Sequence, residues 1–393
     1  MLTYTRESSN VIYQSHHSMA YTNGRSHLFR KLPPTLNLHP IRNATANLLT
    51  KEVIRWPKVE LHRHLEGTVR LATAWKWAQF SPALEGISMM ALQPLIQFDG
   101  VRDYAHFLRK FGTLRDLYYQ PEAIQQVVRE AVIDAAMDNV RYLELRFSPD
   151  HFARRAGYDP YEAAELVVRT GMEEAKRQGI MLRFLCTIGR SYDLETAYRI
   201  FDIALTFRQM GIVGIDLAGN ELSHPGAPFR PLMERAAAEG MGISIHAGEA
   251  GPAAHVWEAI NDLNANRIAH GIRSIDDPDL LVALRERDIA LEVCPTSNYH
   301  TGVVPSLASH PLAKLVQANV PVALSTDDPA ISEITLSDEY DVALEADISP
   351  TTLAQMVLTA ASHAFLPPTQ KKKLLRDLQQ ELAGLPNLPF TAN

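Results

Sequence analysis

Apolar and polar positions follow two rhythms that trade places along most of this chain. Short runs in which alternate side chains are apolar read as strands, because successive strand residues point to opposite faces. Longer stretches with apolar residues three and four apart read as amphipathic helices. The first strand is expected at Val59–Leu65. Others follow at Tyr142–Ser148, Met181–Ile188, Val213–Gly219, Gly242–Gly248, Arg267–Gly271, Ile289–Pro295 and Val320–Asp327. Helical patterns lie between them. Tyr161–Gln178, Leu194–Met210 and Phe229–Glu239 are each closed by a glycine, the residue that most easily ends a helix. Ala253–Leu263, Asp277–Glu286 and Pro311–Ala318 are further helices. Arg70–Phe80 and a long helical section over Leu92–Asn139 follow the first strand, and Ser349–Leu382 reads as terminal helices.

Strand–helix alternation builds a parallel sheet covered on both faces. Eight such units in about 270 residues fit a closed (β/α)8 TIM barrel of the α/β class. Extra helices are expected after strand 1 and at the C-terminus. An open doubly wound sheet is the competitor, but no Gly-x-Gly-x-x-Gly follows the first strand. The barrel domain is assigned to residues 51–393. Residues 1–50 are polar and lack the apolar region of a secretory signal, so a poorly ordered N-terminal extension is expected. Met19 is an alternative start within it.

Composition narrows the class. Of 393 residues, 46% are hydrophobic and 21% charged, which supports a large packed core and excludes wholesale disorder. A net charge of −7 argues against a general nucleic-acid binder. Two cysteines, Cys186 and Cys294, cannot make a disulfide framework, and Cys294 reads as a small buried hydrophobe. No run approaches the roughly 18 apolar residues of a membrane span. A cytoplasmic protein is expected; the oligomeric state is not legible.

The chemistry gathers at strand ends. In His62-Arg-His64 the two imidazoles share one strand face. Alone, the pair is half a metal site, although a single hydrogen-bonded core histidine is commoner. Other expected strands end in Asp216-Leu-Ala-Gly219, His246-Ala-Gly-Glu249, His270-Gly271 and Ser325-Thr-Asp327-Asp328. A barrel places all of these at one rim, where its function sits. Three imidazoles and a carboxylate suit zinc with one open position, so His62, His64, His246 and Asp327 are the expected ligands. Such an ion lowers the pKa of bound water toward neutrality. His270 is then placed to hold or deprotonate the water, and Glu249 to protonate a substrate nitrogen. Asp328 is free to hydrogen-bond the substrate. No lysine accompanies Asp216 to bridge a second metal, so one zinc per chain is expected.

These motifs, in this order from about Lys58 to Pro368, resemble the adenosine deaminase family of the amidohydrolase superfamily. The resemblance implies zinc-dependent conversion of adenosine to inosine and ammonia. It implies that Glu249 protonates purine N1 and that His270 orients the zinc-bound hydroxide attacking C6. It also implies that Asp328 contacts N7, and that the backbone N–H of Gly219 contacts N3. Tyr104, Phe107 and Phe111 share one helix face; plain core packing is one reading, and the resemblance implies an apolar lid. One departure stands out. The family usually carries Asp after His-x-His-Leu, where it and the second histidine, here His64, reach the ribose 5′-hydroxyl. Here it is Glu66. Members that act on adenine itself, or on nucleosides altered at the 5′ position such as aminodeoxyfutalosine, often carry Glu there. A small purine nucleoside or base is therefore the expected partner, with neither nucleic acid nor membrane. A non-catalytic nucleoside-binding protein is a further reading, disfavoured by the intact Glu249 and ligand set; a phosphotriesterase-like hydrolase is remote.

Other polar residues read as structural. Glu144 and Arg146 share a strand face and are expected to form a buried pair. His224, His255, His300, His310 and His363 are expected at the surface or in caps.

Overall fold

The computed structural model describes residues 53–155, 157–386 and Leu388. Eight strands form one sheet in sequence order. They are β1 (Lys58–His64), β2 (Val140–Phe147), β3 (Met181–Gly189), β4 (Ile212–Ala218), β5 (Gly242–Ala247), β6 (Arg267–His270), β7 (Ala290–Val293) and β8 (Val322–Leu324). Every neighbouring pair is parallel. The seam closes just beyond β8, where Asp327 bridges to Arg63 of β1. The Asp327 N–H donates to the His62 carbonyl at 3.0 Å, and the His64 N–H donates to the Asp327 carbonyl at 2.8 Å. The expected (β/α)8 barrel is thus present, and its closure sets the first and last polar motifs side by side.

Strand alternation divides the core. Val59, Leu61 and Leu65 of the first strand segment are fully buried with the apolar faces of the surrounding helices. The barrel interior below the rim is ionic rather than aliphatic. Arg146 reaches Glu292 at 2.6 Å and Asp216 at 3.1 Å. Arg267 reaches Glu292 at 2.6 Å and also pairs with Glu144. Glu144 and Arg146 are therefore buried and structural, as expected, but each pairs across the barrel rather than with the other. Buried charges persist only when paired and hydrogen-bonded, and this net meets that condition.

Some boundaries differ from those expected. The long section after β1 is three helices: Met89–Ile96, Tyr104–Arg115 and Pro121–Met137. Gly100, at φ +89°, turns the chain before the second. Asp103 then caps that helix by accepting the His106 N–H at 2.6 Å. Pro121 opens the third at a position that needs no donor. β7 stops at Val293, and Pro295–His300 is a short helix instead of strand. β8 stops at Leu324, and Asp327 lies at φ +63°, outside strand geometry. The tail forms Pro350–His363, packed against β1 and β8, and Pro368–Ala383. The expected N-terminal extension and Met19 lie outside the described residues. Among the described residues no helix is long and apolar enough to cross a membrane.

Candidate active site

The rim motifs converge. His62 and His64, two apart on β1, bring their Nε2 atoms to 3.0 and 3.4 Å from Asp327 Oδ1. His64 Nε2 stands 3.2 Å from His246 Nε2 at the end of β5. One donor atom from each of the four residues lies within 4.8 Å of the others, and all four are buried. Donors bound at about 2.0–2.1 Å around a tetrahedral zinc stand about 3.3–3.4 Å apart, which is the spacing found for the closest pairs. The donor set and its spacing therefore fit a zinc ion.

Three of the four candidate ligands have a polar partner behind them. Asp216 of β4 stands 2.9 Å from His246 Nδ1. Glu292 of β7 stands 3.2 Å from His62 Nδ1. The Ser297 hydroxyl donates to Asp327 Oδ2 at 2.7 Å. The carboxylate hydrogen-bonded to His246 Nδ1 fixes that tautomer and leaves Nε2 to bind a metal, whereas Glu292 approaches His62 Nδ1 only as a neighbouring charge. Burial alone would raise Asp216, but Arg146 and His246 outweigh it and hold the carboxyl well below its ordinary range. Arg146 and Arg267 likewise overcome burial at Glu292. Asp327 and His270 both sit at φ +63°, a left-handed conformation costing a non-glycine residue about 1–2 kcal/mol. Such strain concentrates at functional positions.

A buried carboxyl lies beside this cluster. Glu249 follows Gly248, which makes the turn at φ +66°, and its carboxyl is buried. Burial, with Asp327 and Glu221 adding to it, raises that carboxyl well above its ordinary value. His270 Nε2 lies 3.7 Å from Glu249 Oε2 and 3.8 Å from Asp327 Oδ2. Burial lowers the imidazole well below its usual pKa. Asn298 meets His270 Nδ1 at 3.2 Å and His310 Nε2 at 3.1 Å, so His310 belongs to the site's support. His310 is buried and its pKa falls to about 3 through burial, contrary to a surface role. His300 is also buried, stacked on Phe98 at 3.7 Å with Nδ1 3.1 Å from Ser332 Oγ. His224 is exposed, and His255 and His363 are partly exposed, as expected.

The remaining expected contacts line the approach. Phe111 sets its ring edge-on to His64 at 6.4 Å, and Tyr104 reaches the Gly219 carbonyl at 3.4 Å. Phe107 is buried behind Phe111, so two of the three aromatics face the site and the third packs beneath. Gly219 bends the chain at φ +110°. Glu66 points one oxygen at the β2 end, accepting the Ser148 N–H at 2.7 Å, while Oε2 is buried without a hydrogen-bond partner. Its carboxyl is raised by burial to about 7. Asp328 Oδ1 is also buried without a hydrogen-bond partner, and burial, then Asp327, raises the group well above its ordinary value. It packs over Gly67, where a Cβ would lie 1.8 Å from Asp328 Oδ1. Gly67→Ala is therefore expected to displace Asp328 and lower kcat/KM by about 10²-fold, the usual cost of a 1 Å misplacement. Steady-state kinetics checks this, with bound metal expected to stay unchanged.

Fold and site together define a (β/α)8 barrel whose rim carries a buried cluster of three histidines and one aspartate that could hold a metal ion, with a buried carboxyl beside it. The adenosine deaminase family model matches residues 57–381. The chain is 37% identical to an adenosine deaminase of Edwardsiella ictaluri, over 83% of this chain and 98% of that one. Among solved structures, an adenine deaminase from Arthrobacter aurescens superposes with a TM-score of 0.76 at 26% identity, covering 84% of this chain and 99% of that one. A zinc-bound amidohydrolase from Burkholderia ambifaria gives 0.79 at 26% identity, covering 88% and 96%. The chain belongs to the adenosine deaminase family, and it is an aminohydrolase.

Proposed function

We propose that this enzyme hydrolyses adenosine to inosine and ammonia with one zinc ion held by His62, His64, His246 and Asp327. The observation that carries the reading is the convergence of four potential metal donors at the barrel rim beside Glu249, a buried carboxyl whose pKa burial pushes above its ordinary value. Zinc bound there supplies a nucleophilic hydroxide at neutral pH by acidifying water. The chain's own residues do the rest. His270, kept neutral, holds the attacking oxygen against purine C6. Glu249 passes its proton to N1, so that the ring accepts the electrons displaced from C6; the C6–N6 bond then breaks as the proton of the added hydroxyl passes to the amine, which leaves as ammonia and yields the C6 carbonyl. N7 offers only a lone pair, so Asp328 meets it as the protonated acid, the form its burial favours. The Gly219 N–H donates to N3. Tyr104, Phe107 and Phe111 exclude water from the covered ring.

A second reading rests on Glu66. Its carboxyl is tied to the Ser148 backbone, with Oε2 left for a ligand. That oxygen is the one feature on which adenine, or a nucleoside altered at the 5′ position such as aminodeoxyfutalosine, would rest as substrate in place of adenosine. A panel of adenine, adenosine and 5′-altered adenine nucleosides, followed by loss of adenine absorbance and by ammonia release, separates the two. Faster turnover of adenosine upholds the first reading; a higher kcat/KM for free adenine or a 5′-altered nucleoside rejects it. Chelation is expected to abolish turnover and zinc to restore it at one ion per chain. Full activity in metal-stripped protein would contradict the metal assignment.

A further inference from the structure

Glu221 lies two residues past Gly219, in the loop that follows β4, and is almost completely buried. Its carboxylate collects four consecutive backbone donors from the loop that follows β5. The N–H of Gly248 donates to Oε2 at 2.9 Å. Those of Glu249, Ala250 and Gly251 donate to Oε1 at 2.9, 2.8 and 2.7 Å. His255 Nδ1 meets Oε2 at 2.9 Å from the outer side. The loop is shaped for this approach. A Cβ on Gly251 would lie 2.2 Å from His255 Nδ1 and 2.8 Å from the Glu221 carboxyl carbon.

We propose that Glu221 is a positioning residue that fixes the reach of Glu249 by holding the backbone of residues 248–251, and that it thereby sets the spacing between the groups addressing N1 and N3. This rests on the reading of Glu249 as the proton donor. The reasoning is geometric. The four donors of 248–251 make no sheet or helix bonds; the Arg273 N–H holds the Gly248 carbonyl at 2.9 Å, and Glu221 holds the whole donor side, including the Glu249 amide. The β4 loop that carries Glu221 also carries Gly219. N1 and N3 belong to the same edge of one rigid ring, so the two loops must keep a fixed separation for both contacts to form together. Tyr104 spans the same gap, with its hydroxyl bonded to the Gly219 carbonyl and lying against Glu249. A proton transfer is steep in distance, and a displacement near 1 Å costs about 10²-fold.

The test uses the full-length zinc enzyme. Glu221→Gln replaces one acceptor oxygen by a donor, so at least one of the four N–H groups loses its partner. The expected result is a kcat about 10²-fold lower with KM changed little, together with lost hydrogen-exchange protection at the amides of 248–251. The decisive readout is a double-mutant cycle. In a Glu249→Gln background, Glu221→Gln is expected to change the residual rate hardly at all, because the group it positions is already gone. An equal fractional loss in both backgrounds would assign Glu221 to general support of the pocket and overturn the proposal. Unchanged kcat in the single variant would do the same. Glu221→Asp keeps the charge and loses the reach; it also serves if the Gln variant does not fold. Wild-type turnover in Glu221→Asp would mean that charge rather than position matters. Should the wild type deaminate no member of the substrate panel, the functional reading fails by itself. The amide protection then still decides the cradle: retained protection in Glu221→Gln refutes it.

Discussion

Glu249→Gln is expected to lower kcat by about 10²–10⁴-fold while making the protein more stable. The kinetic half follows from the proton. Glutamine fills the same space and accepts a hydrogen bond, but it cannot transfer a proton to N1. KM and bound metal are expected to stay near wild type, since Glu249 is not among the four donors. The stability half follows from burial. In the fold the carboxyl titrates well above its ordinary value of 4.5. Between that value and the raised one, the folded state holds a proton that the unfolded chain releases. Stability therefore falls as pH rises through this window, and at pH 7 the group is a liability. A neutral amide removes it, for a gain of about 0.5–2 kcal/mol. Thermal melts at pH 7 read the gain, which shrinks toward pH 4, where the unfolded glutamate is protonated too. A lower melting temperature at pH 7 with the metal still bound would show that Glu249 is not held against its own ionisation.

The second large effect is expected at Glu292. Its carboxylate is fully buried and faces Arg146 and Arg267 at 2.6 Å each, with His62 at 3.2 Å. Glu292→Ala leaves two guanidinium groups short of an anion in the barrel interior. Breaking one partner of such a buried set costs about 3–5 kcal/mol. Denaturant unfolding of the zinc-free and zinc-loaded protein measures it. Glu292→Gln keeps the shape but loses the charge behind His62, so its metal affinity is expected to fall about 10–100-fold, read by competition with a chelator. A stability equal to wild type in Glu292→Ala would show that solvent or another carboxylate reaches the two arginines.

Comparison of these residues shows what a sequence carries. His62, His64, His246 and Asp327 announce themselves because each ends an apolar run, and a barrel turns strand ends into neighbours. Glu292 left only a faint signal: one charge between Leu291 and Val293 in a run otherwise wholly apolar. Arg267 drew no structural reading, whereas Glu144 and Arg146 sit in a run of the same kind. Charges there must be paired, so their being structural was legible. Their partners were not, because pairing across a barrel depends on strand stagger, which hydrophobic spacing does not encode. Ser297 and Asn298 lie on a short helix, Pro295–His300, that the polar run after the expected strand did not announce. His300 and His310 look like surface residues in a polar loop, and only the fold brings Phe98 and Asn298 to them. Glu221 is one acidic residue in a polar turn; its four donors lie in another loop.

The seam between β1 and β8 bears on how the protein is made. His62 and Asp327 are 265 positions apart, yet they share both a backbone ladder and one side of the metal cluster. A growing chain displays three of the four donors long before the fourth is synthesised. A tightly held ion consequently marks a completed cylinder. Held by the proposed ligands, it would also fasten the beginning of the domain to its end, so a nick or truncation near residue 327 is expected to release the metal and open the sheet in a single event.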